Sequence, residues 1–316
     1  MIARLLPVLA LSLLSLCAVA QQESQYTSFM YNQQYYNPAT AGARGVASLQ
    51  GLYRNQWVGF DDAPTSQMLT FGTPVLGDAL GFGLTLNHAT KGIQDNLYAS
   101  MAYNYRLKLS DEHSLRIGLQ GSVQRWGIDF TDPSVVVRTG NDESIDLGNN
   151  FSTWEGNVGL GAYLQLGDYL NVGLSSPHIY RSQISADDSK RADGATVSPH
   201  VYFMADALIP LTETLDFKPA MLFKYVNGAP LDFETNLGLV YAQRIMGGVG
   251  YRAGGDGSGD ALSLLAFFQL NNQLGFGAAY DIGVSDISSN TSGSIEALAR
   301  FDFGSNRDDL VNPRFF

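Results

Sequence analysis

The chain has one cysteine, Cys17, and it falls within the first twenty residues. The rest can form no disulfide and must hold together by backbone pairing and burial. Positive charge is also scarce, with 19 Lys and Arg against 30 Asp and Glu in 316 residues. No segment supplies the basic patch that a phosphate footprint needs, which excludes nucleic acid as the expected partner. Beyond the first twenty residues, no run approaches the roughly eighteen to twenty apolar residues of a membrane-spanning helix. That excludes a helical membrane protein but not a closed barrel, which crosses lipid on alternating strands that hydropathy overlooks.

What is present begins with "MIARLLPVLALSLLSLCAVAQQ". Arg4 precedes an apolar run from Leu5 to about Leu16, followed by Ala18-Val19-Ala20, which reads as a secretory signal over residues 1–20 cleaved after Ala20. A lipoprotein signal modified at Cys17 is the competing reading, and the bulky Leu16 before it argues against that. Without the signal, the exported chain keeps all thirty carboxylates and loses one basic residue.

The stretch "LYASMAYNYRLKL", residues 97–109, fixes the fold class. Leu97, Ala99, Met101, Tyr103, Tyr105, Leu107 and Leu109 point one way from an extended chain, and Tyr98, Ser100, Asn104, Arg106 and Lys108 point the other. Alternation this long exceeds the five or six residues of an average soluble strand. About fourteen such segments can be laid out, near 46–54, 66–73, 80–88, 96–109, 113–125, 154–166, 169–180, 197–208, 214–226, 232–242, 245–253, 260–270, 273–284 and 292–303. Most approach the ten or so residues that a tilted strand needs to cross a bilayer.

The connections sort by length. Every second one is short ("TPVLGD", "SDE", "GD", "IPLTE", "AQ", "NN"), and the intervening ones are generally longer. Short turns at one end and long loops at the other are the pattern of an outer-membrane barrel. A soluble β-sandwich also yields many alternating strands, but it does not sort its loops this way. The expected architecture is therefore an antiparallel transmembrane β-barrel of about 14 strands over residues 46–303, with an N-terminal arm at 21–45 and a C-terminal tail at 304–316, both periplasmic. Leu274, Phe276, Tyr280, Ile295 and Phe301 would face lipid, and Asp281, Glu296, Arg300 and Asp302 the lumen. Gly81, Gly83, Gly118, Gly159, Gly161, Gly247, Gly275 and Gly277 fit close strand approach and curvature inside the barrel. None of these glycines opens a helix after a strand, as a dinucleotide site would require.

Four stretches resemble a known family: "YYNPATAG" (35–42), "YRNQWVGFDDAPTSQMLTFGTPV" (53–75), "QLGFGAAYDIGVSDISSNTSGSIEALARFDF" (273–303) and the final "NPRFF". They look like the PorP/SprF outer-membrane proteins of the type IX secretion system. In that family the segment matching Gly293-Ser294-Ile295-Glu296 usually reads Gly-Ser-His-Glu, so Ile295 is a departure. The resemblance implies a β-barrel serving export and, in gliding bacteria, surface delivery of adhesins. It also implies association with periplasmic ring components of the secretion apparatus and, for some members, with secreted substrates bearing a C-terminal sorting domain. No catalytic residues and no cofactor come with the family.

Candidate site residues follow from the ends and one loop. The arm "QQESQYTSFMYNQQYYNPATAG" is rich in Tyr, Gln and Asn, a composition suited to recognition. Tyr31, Tyr35, Tyr36, Asn37 and Pro38, with Arg314, Phe315 and Phe316 of the tail, are expected to dock a periplasmic ring component or to plug the periplasmic mouth. The alternative is that the arm packs inside the lumen. In "RNQWVGFDDAPTSQ", Arg54, Gln56 and Trp57 would form a lumenal plug, with Arg54 paired to an acidic wall, or else an aromatic belt with a tight outer turn. His178 and His200 lie near the outer ends of neighbouring strands, but their parity sets them on opposite faces unless Pro177 introduces a bulge, so no metal site is expected. No nucleophile elbow appears, and no histidine has an evident carboxylate orienter, so catalysis is not expected. The loop "GGDGSGD" around Asp256, Gly257 and Asp260 reads as a solvated acidic loop. A passive porin is the alternative function.

Overall fold

The computed structural model describes residues 23–135, 150–184, 195–254, 260–284 and 291–304. Fourteen strands close into one antiparallel barrel. They are β1 (Ala47–Asn55), β2 (Thr65–Val75), β3 (Leu80–Lys91), β4 (Gln94–Lys108), β5 (His113–Ile128), β6 (Phe151–Leu166) and β7 (Leu170–Ser176), then β10 (His200–Ala207), β12 (Leu215–Val226), β13 (Asp232–Tyr241), β14 (Ile245–Ala253), β15 (Ala261–Gln269), β16 (Leu274–Gly283) and β17 (Ser294–Phe303). Consecutive strands pair in order, β1 pairs with β17, and β10 pairs with both β7 and β12, which leaves no free edge. A small hairpin, β8 (Ser182–Ile184) with β9 (Ala195–Val197), stands on the β7–β10 connection. The two-residue β11 (Ile209–Pro210) continues the pairing of β10 with β12 past Leu208.

The fourteen expected segments match these strands closely. The clearest difference is β7, which ends at Ser176 rather than near 180. Pro177 has no N–H to give the ladder, and its carbonyl would lie 2.4 Å from a Cβ placed at Gly159 on β6. A second difference is the β3–β4 connection, which turns through Gly92 and Ile93 alone although it lies at the long-loop end.

The two faces of the wall differ as alternation requires. Leu84, Leu86, Met101, Tyr103, Leu119, Leu237, Val249, Leu262, Phe276, Ile282 and Ile295 are exposed on the outside. They form the apolar band that a bilayer covers, with Tyr53, Trp154, Tyr225 and Tyr251 towards one rim and Tyr105, Tyr169, Tyr241 and Phe303 towards the other. Gly247 also lies on this outer face, with nothing within 4 Å of a Cβ placed there, so it does not belong with the lumenal glycines. Inside, Arg54, Arg116, Asn236, Glu296, Arg300 and Asp302 are buried. A barrel of this size encloses more space than its wall side chains fill. Residues 23–44 occupy that space.

Candidate functional site: the lumen and its N-terminal plug

The arm threads the lumen from one end to the other. Glu23 meets His178, His200 and Tyr202 at the long-loop end, and Arg44 meets Asp302 at 2.9 Å beside the short turns, where β1 begins. Between them the chain forms a 3-10 turn at Phe29–Tyr31, a single helical turn at Gln33–Tyr36 and another 3-10 turn at Pro38–Thr40. Tyr26, Thr27, Asn37, Ala39 and Ala41 have no exposed surface at all.

One side of the lumen grips the arm through charge. Arg54 on β1 pairs with Asp281 on β16 at 2.6 Å and with Glu296 on β17 at 3.1 Å. Arg252 on β14 pairs with Glu234 on β13 at 3.0 Å and lies 3.5 Å from Asp281. The backbone of the arm completes this network. The Thr27 and Ser28 N–H groups donate to the two Glu296 oxygens at 2.9 and 2.8 Å. The Thr27 hydroxyl accepts from Arg54 and Arg252, each at 2.9 Å, and donates to Asp281 at 2.8 Å. Asn236 Nδ2 donates to the Thr27 carbonyl at 2.8 Å. Buried charges are tolerated only when paired and hydrogen-bonded, and Thr27 sits where five charged side chains need additional partners.

The other side grips by close approach. Asn37 caps the turn at Pro38–Thr40, its Oδ1 accepting from the Ala39 N–H at 2.9 Å, and Pro38 takes the position where a missing N–H is harmless. Asn37 Nδ2 donates to the Ala162 carbonyl on β6 at 3.0 Å, and Asn104 Nδ2 on β4 donates to the Ala41 carbonyl at 2.7 Å. Backbone comes this near because the wall beneath lacks side chains. A Cβ at Gly81 would lie 2.0 Å from the Ala41 carbonyl, one at Gly118 2.4 Å from the Ala39 nitrogen, and one at Gly161 2.0 Å from Asn37 Oδ1. At Gly42 the backbone takes φ +66°, and a Cβ would strike the Thr73 carbonyl at 2.4 Å. "YYNPATAG" is thus the seat of the plug.

Between these two grips lies an aromatic cluster. Tyr35 makes edge contacts with Tyr26, Tyr36 and Tyr98 at 5.5, 5.1 and 6.1 Å between ring centres, and Tyr36 packs on Tyr202 at 5.2 Å. Tyr31 stacks on Phe267 at 4.6 Å under the Lys218 ammonium.

These positions correct the expectation for the arm. Tyr35, Tyr36, Asn37 and Pro38 are buried against the lumen wall and Tyr31 is mostly so, so they offer no surface to a periplasmic partner in this state. The physical reason is the unfilled lumen and its unpartnered polar wall. Arg314, Phe315 and Phe316 lie outside the described residues. Arg54 is paired to an acidic wall within the lumen, whereas Gln56 and Trp57 stay in the rim loop. The Gln56 N–H donates to the Pro64 carbonyl at 2.9 Å, and the half-buried Trp57 donates its backbone N–H to Ser294 Oγ at 3.2 Å, with φ 52°. The plug is the arm, not this loop. His178 and His200 are both buried in the lumen, because the chain leaves the β7 ladder at Pro177 and parity no longer holds. The sequence alone does not single out Thr27 or Glu23, and it shows Asn104 only as a lumen-side residue. The signal available for the seat was the set of inward glycines on three nearby strands, Gly81 and Gly83 on β3, Gly118 on β5 and Gly161 on β6.

A closed fourteen-strand barrel with an apolar outer band and a polar lumen defines an outer-membrane β-barrel protein. The chain belongs to the family described as type IX secretion system membrane protein PorP/SprF, which matches residues 18–301. No curated protein matches it. Among solved structures it is similar to the toluene transporter TbuX of Ralstonia pickettii, with 9% identity over 90% of this chain and 96% of that one and a TM-score of 0.53. It is also similar to a mutant of TodX, a monoaromatic hydrocarbon channel, with 9% identity over 90% and 97% of the two chains and a TM-score of 0.51. At such identity the likeness concerns the barrel fold alone.

Proposed function

We propose that this protein is a non-catalytic outer-membrane component of the type IX secretion system that supports export of secreted proteins, including delivery of adhesins where the cell glides. Family membership over residues 18–301 carries this reading. The short turns and the tail face the periplasm, as in barrels of this class, and the signal over residues 1–20 directs the chain there. Partner contact with periplasmic ring components then falls to the short-turn end and to Arg314, Phe315 and Phe316, since the arm is committed to the lumen. Substrates with C-terminal sorting domains are the cargo.

The lumen argues against a passive porin. A solute route would have to pass Thr27 with its four charged partners and the Asn37–Ala41 seat, both of which are occupied by the chain itself. The direct test is affinity purification from the native envelope, paired with an export assay in cells lacking the protein. Copurification of ring components together with loss of export is the expected result. Intact export with no such partners, joined to a large stable conductance in planar bilayers, would establish the porin instead.

A further inference from the structure

Three side chains that a secretion role leaves unexplained meet at the long-loop end of the lumen. His178 follows the Pro177 bend, His200 opens β10, and Glu23 leads the described part of the arm. One possible ligand atom from each lies within 4.8 Å of the other two. Glu23 Oε1 stands 2.7 Å from His178 Nδ1 and 3.5 Å from His200 Nδ1, while its Oε2 accepts from the Tyr202 hydroxyl at 2.7 Å.

The protons can be placed by elimination. His200 Nδ1 is 2.9 Å from the Ser198 carbonyl, which only accepts, so Nδ1 carries the hydrogen and the lone pair of the neutral ring lies on Nε2. An ionised Glu23 imposes the same tautomer on His178. Among the described residues both Nε2 atoms are buried without a hydrogen-bond partner, on residues only 6% and 1% exposed. Protonating the rings leaves the same atoms as unpaired buried donors. Buried polar atoms are seldom left so, and two in one cluster call for a ligand.

The geometry points to a divalent transition-metal site of the zinc class, formed by His178, His200 and Glu23, that latches the leading end of the arm inside the barrel. Two imidazoles and a carboxylate suit a borderline-soft dication and leave its fourth position open to water. The His200 Nδ1–H bond to a backbone carbonyl is the outer-shell partner that metal-bound histidines commonly have. Donors on a tetrahedral zinc at about 2.0–2.1 Å stand roughly 3.3 Å apart. Glu23 now lies on the Nδ1 edge of His178, 2.7 Å away, so closing on an ion requires that ring to turn about its Cβ–Cγ bond and present Nε2, or the ion to replace the Nδ1 proton. Lys224, cross-strand from Tyr202, is 3.3 Å from Asp232, so its charge is offset nearby. Two ligands come from the wall and one from the arm. Binding the ion therefore ties the arm in place whatever the barrel exports.

The test uses the full chain in detergent, stripped with a chelator and titrated with zinc chloride alone by calorimetry. About one ion per chain is expected, with at least tenfold weaker binding in His178→Ala, His200→Ala and Glu23→Gln. Heat-modifiable gel mobility identifies the variants that remain folded, and His200→Gln serves if the alanine variant does not. Zinc should also slow proteolytic trimming of the arm in the wild-type protein and not in Glu23→Gln. Absence of saturable binding in the wild-type protein, or equal binding in every folded variant, would overturn the site.

Discussion

The two sides of the lumen hold the same arm by opposite means. Strands β13, β14, β16, β17 and β1 present Glu234, Arg252, Asp281, Glu296 and Arg54, and the arm answers with one hydroxyl and a few backbone groups at Thr27 and Ser28. Strands β3 to β6 present almost no side chain at the seat, and the arm answers with a rigid turn, Asn37 to Gly42, pressed onto Gly81, Gly118 and Gly161. The charged side is specific because ionised groups in a low dielectric tolerate no vacancy. The glycine side is specific because of shape: a single added methyl group meets backbone at Gly81 and Gly118 and the Asn37 amide at Gly161. A segment of about twenty residues is thus positioned at both ends of its path without a disulfide.

The charged side is the more costly one to disturb. Arg54→Ala strands Asp281 and Glu296 in the lumen, and loss of one partner from a buried ion pair costs about 3–5 kcal/mol. Denaturant unfolding in lipid vesicles should show a drop of that order, with proteolytic release of the arm before the barrel melts. The outer wall supplies a reference that involves neither grip. Met101→Arg, 57% exposed near the middle of β4, should cost about 2–4 kcal/mol in the same assay if that face meets the bilayer midplane, and leave the arm protected.

On the glycine side, Gly118→Val should cost about 1–3 kcal/mol by overpacking. Its signature should be loosening of residues 37–42, read as faster hydrogen exchange there and unchanged exchange at Thr27. Equal loosening at both places would mean that the two grips act as one unit. Asn37→Ala should have the smallest effect, about 1 kcal/mol for a lost turn cap, slightly more if the Ala162 carbonyl is left without its donor.

Much of the wall could be read from the sequence, since period-two alternation and loop-length sorting are local signals. Residues 97–109 alone state the strand, its length and its two faces. The arm was harder to place. The partners of Thr27 lie at positions 54, 236, 252, 281 and 296, brought together only by barrel closure, and nothing local in "QYTSF" points to them. The same closure changes the character of Asn104. By alternation it is a solvated lumen residue, yet it is 1% exposed and donates to the Ala41 carbonyl, so a bulky substitution there would displace the plug. Parity counting sets the histidines on opposite faces because it assumes an unbroken ladder, and Pro177 breaks it.

Residues 23–44 fill the lumen. Planar-bilayer conductance of the full chain, set beside a variant lacking residues 23–44, tests this most directly, with heat-modifiable mobility confirming that both barrels are intact. The full chain should be silent, or nearly so, and the shortened chain should give large, stable, weakly selective openings. Openings of the same size and frequency in both would contradict the plug and return the barrel to the class of passive pores.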